Sequence, residues 1–380
     1  MVSGVPASLE RSVVDQLVAR ASKDVESGQV PGCSLAVAYQ GEVVLSEAFG
    51  AATPATRMVL MSASKTVVDS ALWILLADGR LKTTDRVADH IPEFGERGKG
   101  EVTIEQLMTH TGGFPFAPLD WPEWAERSNR LEAFSHWTLE FPPGTAYAYH
   151  ASSASWVIAE LIERASGEDY RVFLRREVLE PLGLASMLSL GAPLEEQADV
   201  LAPVFLLPEE TMQRLPPHMT RLGPDGRAIV PAGLATPEGR AAGFPGAGVV
   251  ATAEGVSLLY QAFLHNPANL WPADLLSDVT GNVRVSLPDE EGIPILRTLS
   301  MVVAGDVPRN ASRAFFGQTT SERAFGHLGL GGNLAWADPE SGLSFCYLTN
   351  GIAFLPGFPD FSAYHRADEL SSIAGKLTHG

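Results

Sequence analysis

Apolar residues at Val13, Val14, Leu17, Val18 and Ala21 recur at the three-and-four spacing of a helix, predicting one over residues 9–25 that Glu26-Ser27-Gly28 closes. The next stretch, GCSLAVAYQGEVVLSEAFG, holds two apolar runs of strand length split by Gln40-Gly41. It predicts a hairpin whose turn uses the glycine's freedom at positive φ. MSASKTVVDSALWILLADGR then has helical character, and over residues 71–77 it is apolar on every side. Such a helix belongs in the interior, and Gly79 is its stop.

From about residue 96 to 285 the pattern changes to helical segments between proline- and glycine-rich loops. VTIEQLMTH, SASWVIAELIERASG, DYRVFLRREVLEPLG and TAEGVSLLYQAFLH are predicted helices, the last with Thr252 as N-cap. Residues 201–245 hold many prolines and little periodicity, which predicts loops and short strands. The last hundred residues return to strands: ILRTLSMVVAG, GHLGLGGNLAWADP and GLSFCYLTNG, followed by a helix over residues 361–377. Strands at both ends with helices between them predict an α+β fold, an antiparallel sheet built from both chain ends and flanked by helices. The expected division is a sheet domain of residues 1–95 and 286–380 and a mainly helical inserted domain of residues 96–285, with the ligand cleft between them.

Composition narrows the function. The chain has 380 residues, 45% hydrophobic and 19% charged, which excludes a disordered or fibrous protein. A net charge of −18 repels phosphate backbones and anionic lipid, so neither a nucleic acid nor a membrane is an expected partner. No run approaches a membrane span and the first residues carry no apolar signal core, so the expected location is the cytoplasm. Cys33 and Cys346 lie in apolar runs at opposite ends of the chain and read as buried reduced thiols. No HExxH, P-loop or dinucleotide fingerprint is present, so no metal and no cofactor are expected.

The chain uses only five lysines. One of them, Lys65, follows Ser62 by three positions at the start of the apolar helix, which puts both side chains on one helical face. A serine hydroxyl is a weak nucleophile that needs a neighbouring base. Lysine serves only if burial lowers its pKa from about 10.4 toward 7, and an interior helix provides that setting. Glu160 and Glu163 on the WVIAELIER segment read as a solvated face, and His110 as a hydrogen-bonded structural residue.

S-x-x-K alone occurs by chance in a chain of this composition. Here it stands in order with GRLKTTDRVADHIPEF, VTIEQLMTHTGGF, PPGTAYAYH, GFPGAGVVATAEGVSLLYQAF and AFGHLGLGGNLAWADPESG. Together these segments resemble the serine β-lactamase and penicillin-binding-protein-like superfamily, in its class C-like branch of family VIII esterases, D-aminopeptidases and acyltransferases. The resemblance runs over essentially the whole chain and implies a β-lactamase/transpeptidase-like fold. It further implies that Ser62 is the acylated nucleophile, Lys65 its partner base and Tyr149 the tyrosine whose phenolate, stabilised by the lysine, takes the serine proton and later protonates the leaving group, with Tyr147 packed in the core. His327-Leu328-Gly329 stands where that superfamily has lysine-threonine-glycine, and the backbone N–H groups of Ser62 and Leu330 would form the oxyanion hole.

Two departures bear on the substrate. Ala151 occupies a position usually held by asparagine or serine, leaving His150, Ser152 or Ser153 as candidate polar contacts. His327 replaces a charged lysine and, near its ordinary pKa, is mostly neutral at pH 7, which weakens the pull on a substrate carboxylate. Both changes favour esters over penicillin-type substrates. The expected function is hydrolysis of a small-molecule carboxylic ester. A transacylase using an amine or alcohol acceptor, an amidase or D-amino-acid peptidase, and a catalytically silent binding module are the alternatives. The segments at 114–126 and 204–219 are aromatic or proline-stiffened and are candidate walls of a hydrophobic substrate pocket.

Overall fold

The computed structural model describes residues 9–205, 232–288, 292, 294–306, 313–352 and 362–378. Its main sheet takes β1 (Gly32–Tyr39) and β2 (Glu42–Gly50) from the N-terminal side of the chain. From the C-terminal side come β3 (Val302–Val303), β4 (Phe325–Gly329), β5 (Asn333–Ala337) and β6 (Leu343–Thr349). The spatial order is β2–β1–β6–β5–β4–β3, antiparallel throughout. The two chain ends meet in the β1–β6 pairing, whose register runs from Cys33 opposite Thr349 to Tyr39 opposite Leu343.

Helices cover both faces. On one side α1 (Arg11–Glu26) packs Val14 and Leu17 against Leu35 and Val37 of β1, together with Leu370 of a C-terminal helix spanning Ser362–Ala374. Ala36, pointing the other way, joins Trp73 of α2 (Ser64–Ala77), Trp156 of α3 (Ser153–Ser166) and Leu259 of α4 (Ala253–His265). With both faces covered, β1 reads as an apolar run rather than an alternation. The same core extends without a break from the sheet into the helical part, as Leu107, Phe114 and Leu161 belong to it. The β1–β2 turn is the predicted one: Gln40 and Gly41 both adopt positive φ (53° and 83°), the conformation a two-residue hairpin needs.

A second, four-stranded sheet joins Leu188–Leu190, Val249–Ala251, Arg57–Val59 and Val200–Leu201, and so anchors the segment that leads into α2. Cys33 and Cys346 are buried and free, and Thr252 caps α4 through Gly255 N–H (3.1 Å), both as expected.

The structure corrects three expectations. GHLGLGGNLAWADP is not one strand: a tight turn at Leu330–Gly332, with Gly331 and Gly332 at φ 85° and 90°, folds it into the antiparallel pair β4–β5. In ILRTLSMVVAG only Val302–Val303 is strand, because the Thr298 hydroxyl accepts from the N–H groups of Ser300 and Met301 and turns the chain before it can pair. Glu160 and Glu163 do not form a solvated face. Glu160 is 1% exposed and binds Arg127 and Arg164, while Glu163 meets Arg127 and Arg130.

Candidate active site

Ser62 lies in a 3-10 turn (Met61–Ala63) that runs directly into α2, at the positive end of that helix. Met61, just before it, holds φ 53°, a left-handed conformation that is uncommon outside glycine and clusters at functional sites. Two contacts pin the turn: Leu60 N–H donates to Val249 C=O (2.9 Å), and the Ser64 hydroxyl accepts from Val249 N–H (3.1 Å).

Lys65 is 4% exposed although it carries an amine. Its Nζ donates to the carbonyls of Ala151 (2.8 Å) and Gly246 (3.0 Å) and lies 5.0 Å from the centre of the Tyr149 ring. Burial, helped by the Arg297 charge and opposed by Asp69, lowers its pKa from 10.5 to about 7. No residue-type signal marks this grip, because both acceptors are backbone oxygens. Ala151 looks disabling by its side chain, yet it serves through its carbonyl.

The Tyr149 hydroxyl is buried and closes no hydrogen bond. Burial pushes its pKa up, and the neighbouring Ser62 hydroxyl draws it part of the way back. The His110 ring lies 4.7 Å from the Tyr149 ring and the His327 ring 6.2 Å. The tautomers follow from the partners. His327 Nδ1–H donates to Leu328 C=O (2.8 Å), leaving Nε2 as a buried lone pair without a partner. His110 Nδ1 accepts from His150 N–H (3.3 Å), so its Nε2–H is a buried free donor. Burial holds both rings well below the ordinary histidine pKa, hence neutral.

His150 is no candidate for substrate contact. It is wholly buried, its Nδ1–H donates to Ala148 C=O (2.6 Å), and its Nε2 accepts from Phe114 N–H (3.1 Å). Both nitrogens are thus committed to the chain, and its pKa falls to about 4 through burial. Ser152, half-buried, begins α3 without capping it. Ser153 is buried and donates to Phe114 C=O (2.9 Å). Tyr147 is buried at 6% exposure, as expected.

Strand β4 runs against the turn that carries Ser62. A Cβ on Gly329 would stand 2.2 Å from Leu60 C=O, so only glycine permits this approach. Leu330 follows at the tight turn. Asn333 ties the two segments together, its Nδ2 donating to Val59 C=O (3.2 Å) and Leu330 C=O (3.3 Å) while its Oδ1 accepts from Thr349 N–H (2.8 Å). Asn333, Asp69 and Arg297 are site residues that the sequence did not single out. In the 114–126 segment, Phe114 and Trp124 are core residues, Trp124 lying tilted against Trp156 and Phe244 with ring centres 5.3 and 5.5 Å away. Residues 206–219 lie outside the described residues. Among the described residues, no group of three or more His, Cys, Asp or Glu side chains is placed to hold a metal, and no helix is long and apolar enough to cross a membrane.

The family model described as Beta-lactamase matches residues 11–356. The chain belongs to the beta-lactamase family. It is 26% identical over 321 residues to the esterase/beta-lactamase LipL of Mycobacterium tuberculosis, covering 77% of this chain and 69% of LipL. The penicillin-binding-protein homologue from Caulobacter crescentus superposes with a TM-score of 0.76 at 26% identity over 98% of each chain. A family VIII carboxylesterase superposes with the same TM-score at 20% identity, over 95% of this chain and 98% of its own. This beta-lactamase-family chain therefore has the β-lactamase/transpeptidase-like fold and is a hydrolase-type enzyme with esterase relatives.

Proposed function

We propose that the chain hydrolyses small-molecule carboxylic esters through an acyl-enzyme on Ser62. The observation that carries this reading is the Lys65 amine: three residues from Ser62, 4% exposed and with its pKa brought to about 7. Such an amine is neutral often enough at physiological pH to take a proton, and close enough to that pH to return it. The buried Tyr149 phenol has the opposite shift, so it relays rather than originates the proton transfer. Ser62 attacks the ester carbonyl while its proton passes to Lys65. The backbone N–H groups of Ser62 and Leu330 receive the oxyanion, a contribution of about 3–4 kcal/mol per donor. The Tyr149 hydroxyl gives its proton to the departing alkoxide and takes the one on Lys65 in its place, and the amine, neutral again, activates the water that releases the acid.

Ester selectivity is supported by His327. The ring is neutral and offers a lone pair where a lysine would offer a cation, so a substrate carboxylate gains nothing there. Ser62→Ala and Lys65→Ala are each expected to abolish turnover of p-nitrophenyl butyrate with the circular dichroism spectrum unchanged. Turnover at the wild-type rate in either variant overturns the assignment.

A further inference from the structure

α2 carries a second buried charge, one turn beyond Lys65. Asp69 is 5% exposed, and at four residues' spacing it shares the helical face of the amine. From the edge of the sheet, Arg297 comes in at 1% exposure. Ser300 stands between them. Its hydroxyl accepts from Trp73 Nε1–H (3.0 Å) and offsets part of the burial that raises the Asp69 carboxyl, while its carbonyl accepts from Arg297 Nη2 (3.4 Å). The Arg297 main chain is pinned as well, its N–H donating to Val285 C=O (2.9 Å) and its own carbonyl accepting from Arg284 and Val285. Neither charge can swing out to water.

A carboxylate and a guanidinium buried only to stabilise a fold would close on each other as a two-pronged pair. These do not: no ion pair joins them among the described residues, and Arg297 Nε has no partner. Both fields instead converge on the proposed catalytic groups. Arg297 acts on Lys65, Tyr149, His110 and His327, and Asp69 acts on Lys65 and Tyr149.

On the reading that Lys65 is the base, we propose that Asp69 is the counter-charge of the ammonium formed when Ser62 gives up its proton, and that Arg297 keeps the same amine neutral beforehand. Both are positioning residues; neither touches substrate. In the step they support, the Ser62 O–H bond breaks and the Oγ–acyl bond forms. The proton goes to Lys65 Nζ, the carbonyl electron pair goes to the oxyanion, and Asp69 remains a carboxylate beside the new cation. The groups facing Lys65 are Asp69 on its own helix, Arg297 from the sheet edge, Tyr149 and His110 from the helical part, and His327 from β4. Burial keeps the last three neutral, so Asp69 and Arg297 supply the charge. Burial also raises the Asp69 carboxyl while the Lys65 charge lowers it, and Asp69 in turn raises Lys65, so each group's charge bears on the other's titration.

The test is the acid limb of kcat/KM against pH, measured with p-nitrophenyl butyrate on the full chain. Asp69→Asn removes the negative charge at nearly constant shape, and is expected to move the limb down by about one pH unit and lower the plateau about tenfold. Arg297→Gln is expected to move it up, and Asp69→Glu to bring it back toward wild type. Opposite displacements are not what loss of packing produces. Folded variants whose limbs stay in place, or move the same way, overturn the proposal. Should both variants fail to fold, ¹³C-lysine NMR of the wild type decides. With five lysines to resolve, a two-step titration of Lys65 supports the coupling and a single step overturns it. An active Ser62→Ala enzyme would instead sink the reading beneath the proposal. An inactive one with unmoved limbs sinks the proposal alone.

Discussion

Lys65→Met should make the protein more stable and catalytically dead. Methionine keeps the length and apolar stem of the lysine but carries no amine. In the native protein that amine is 4% exposed and its pKa is lowered from 10.5 to about 7. The shift corresponds to about 5 kcal/mol that folding supplies at neutral pH to hold the group out of water. Against this, methionine leaves the carbonyls of Ala151 and Gly246 without their donor, at about 1 kcal/mol each. The net expected gain is about 2–3 kcal/mol at or below pH 7. Its pH dependence has a definite sign. Between about 7 and 10.5 the unfolded wild type binds a proton at this lysine that the folded state does not, so wild-type stability rises with pH through that window. The advantage of methionine therefore shrinks as pH rises and reverses near the ordinary lysine pKa, where only the lost hydrogen bonds remain. Urea melts of both proteins from about pH 6 to 10 read this directly. If the variant is less stable at pH 7 by an amount that does not change with pH, Lys65 is an ordinary charged lysine and the reasoning fails.

Gly329→Ala should cost activity more than stability. Its Cβ would meet Leu60 C=O at 2.2 Å, so β4 and the nucleophile turn must separate, and a displacement of about 1 Å at such a site costs about 100-fold. A kcat within a factor of two of wild type would show that the close approach is not needed. Glu160→Gln tests the buried ion network away from the site. With Arg127 and Arg164 bound to a side chain that is wholly buried, the loss of charge should lower stability by about 1–3 kcal/mol and leave kcat unchanged. A melt indistinguishable from wild type would contradict that account.

The β1–β2 hairpin and the strands β1 and β6 were legible because their signals are local. Gln40-Gly41 announces a turn by conformation, and apolar runs of strand length announce β1 and β6. Ser62 and Lys65 were proposed from their spacing together with the resemblance, and Tyr149 from the resemblance alone. What escaped depended on partners distant in sequence. Glu160 looks like one charged residue on a helix until Arg127 folds over it from 33 residues away. Asp69 looks like a polar break in an apolar helix until Ser300 arrives from the opposite end of the chain. His150 looks available until both its nitrogens prove to be taken by the backbone. The Leu330–Gly332 turn escaped because its glycines lie inside an apolar run of strand length, where a bend and a continuation share one composition.

The central claim is that Ser62 carries the acyl group between the two half-reactions. It is tested most directly by acid-quenching the enzyme during turnover of p-nitrophenyl butyrate and mapping the adduct by peptide mass spectrometry. The account predicts a butyryl mass on the peptide containing Ser62, absent from Ser62→Ala. Turnover with no adduct there, or with the acyl group on another residue, would contradict it.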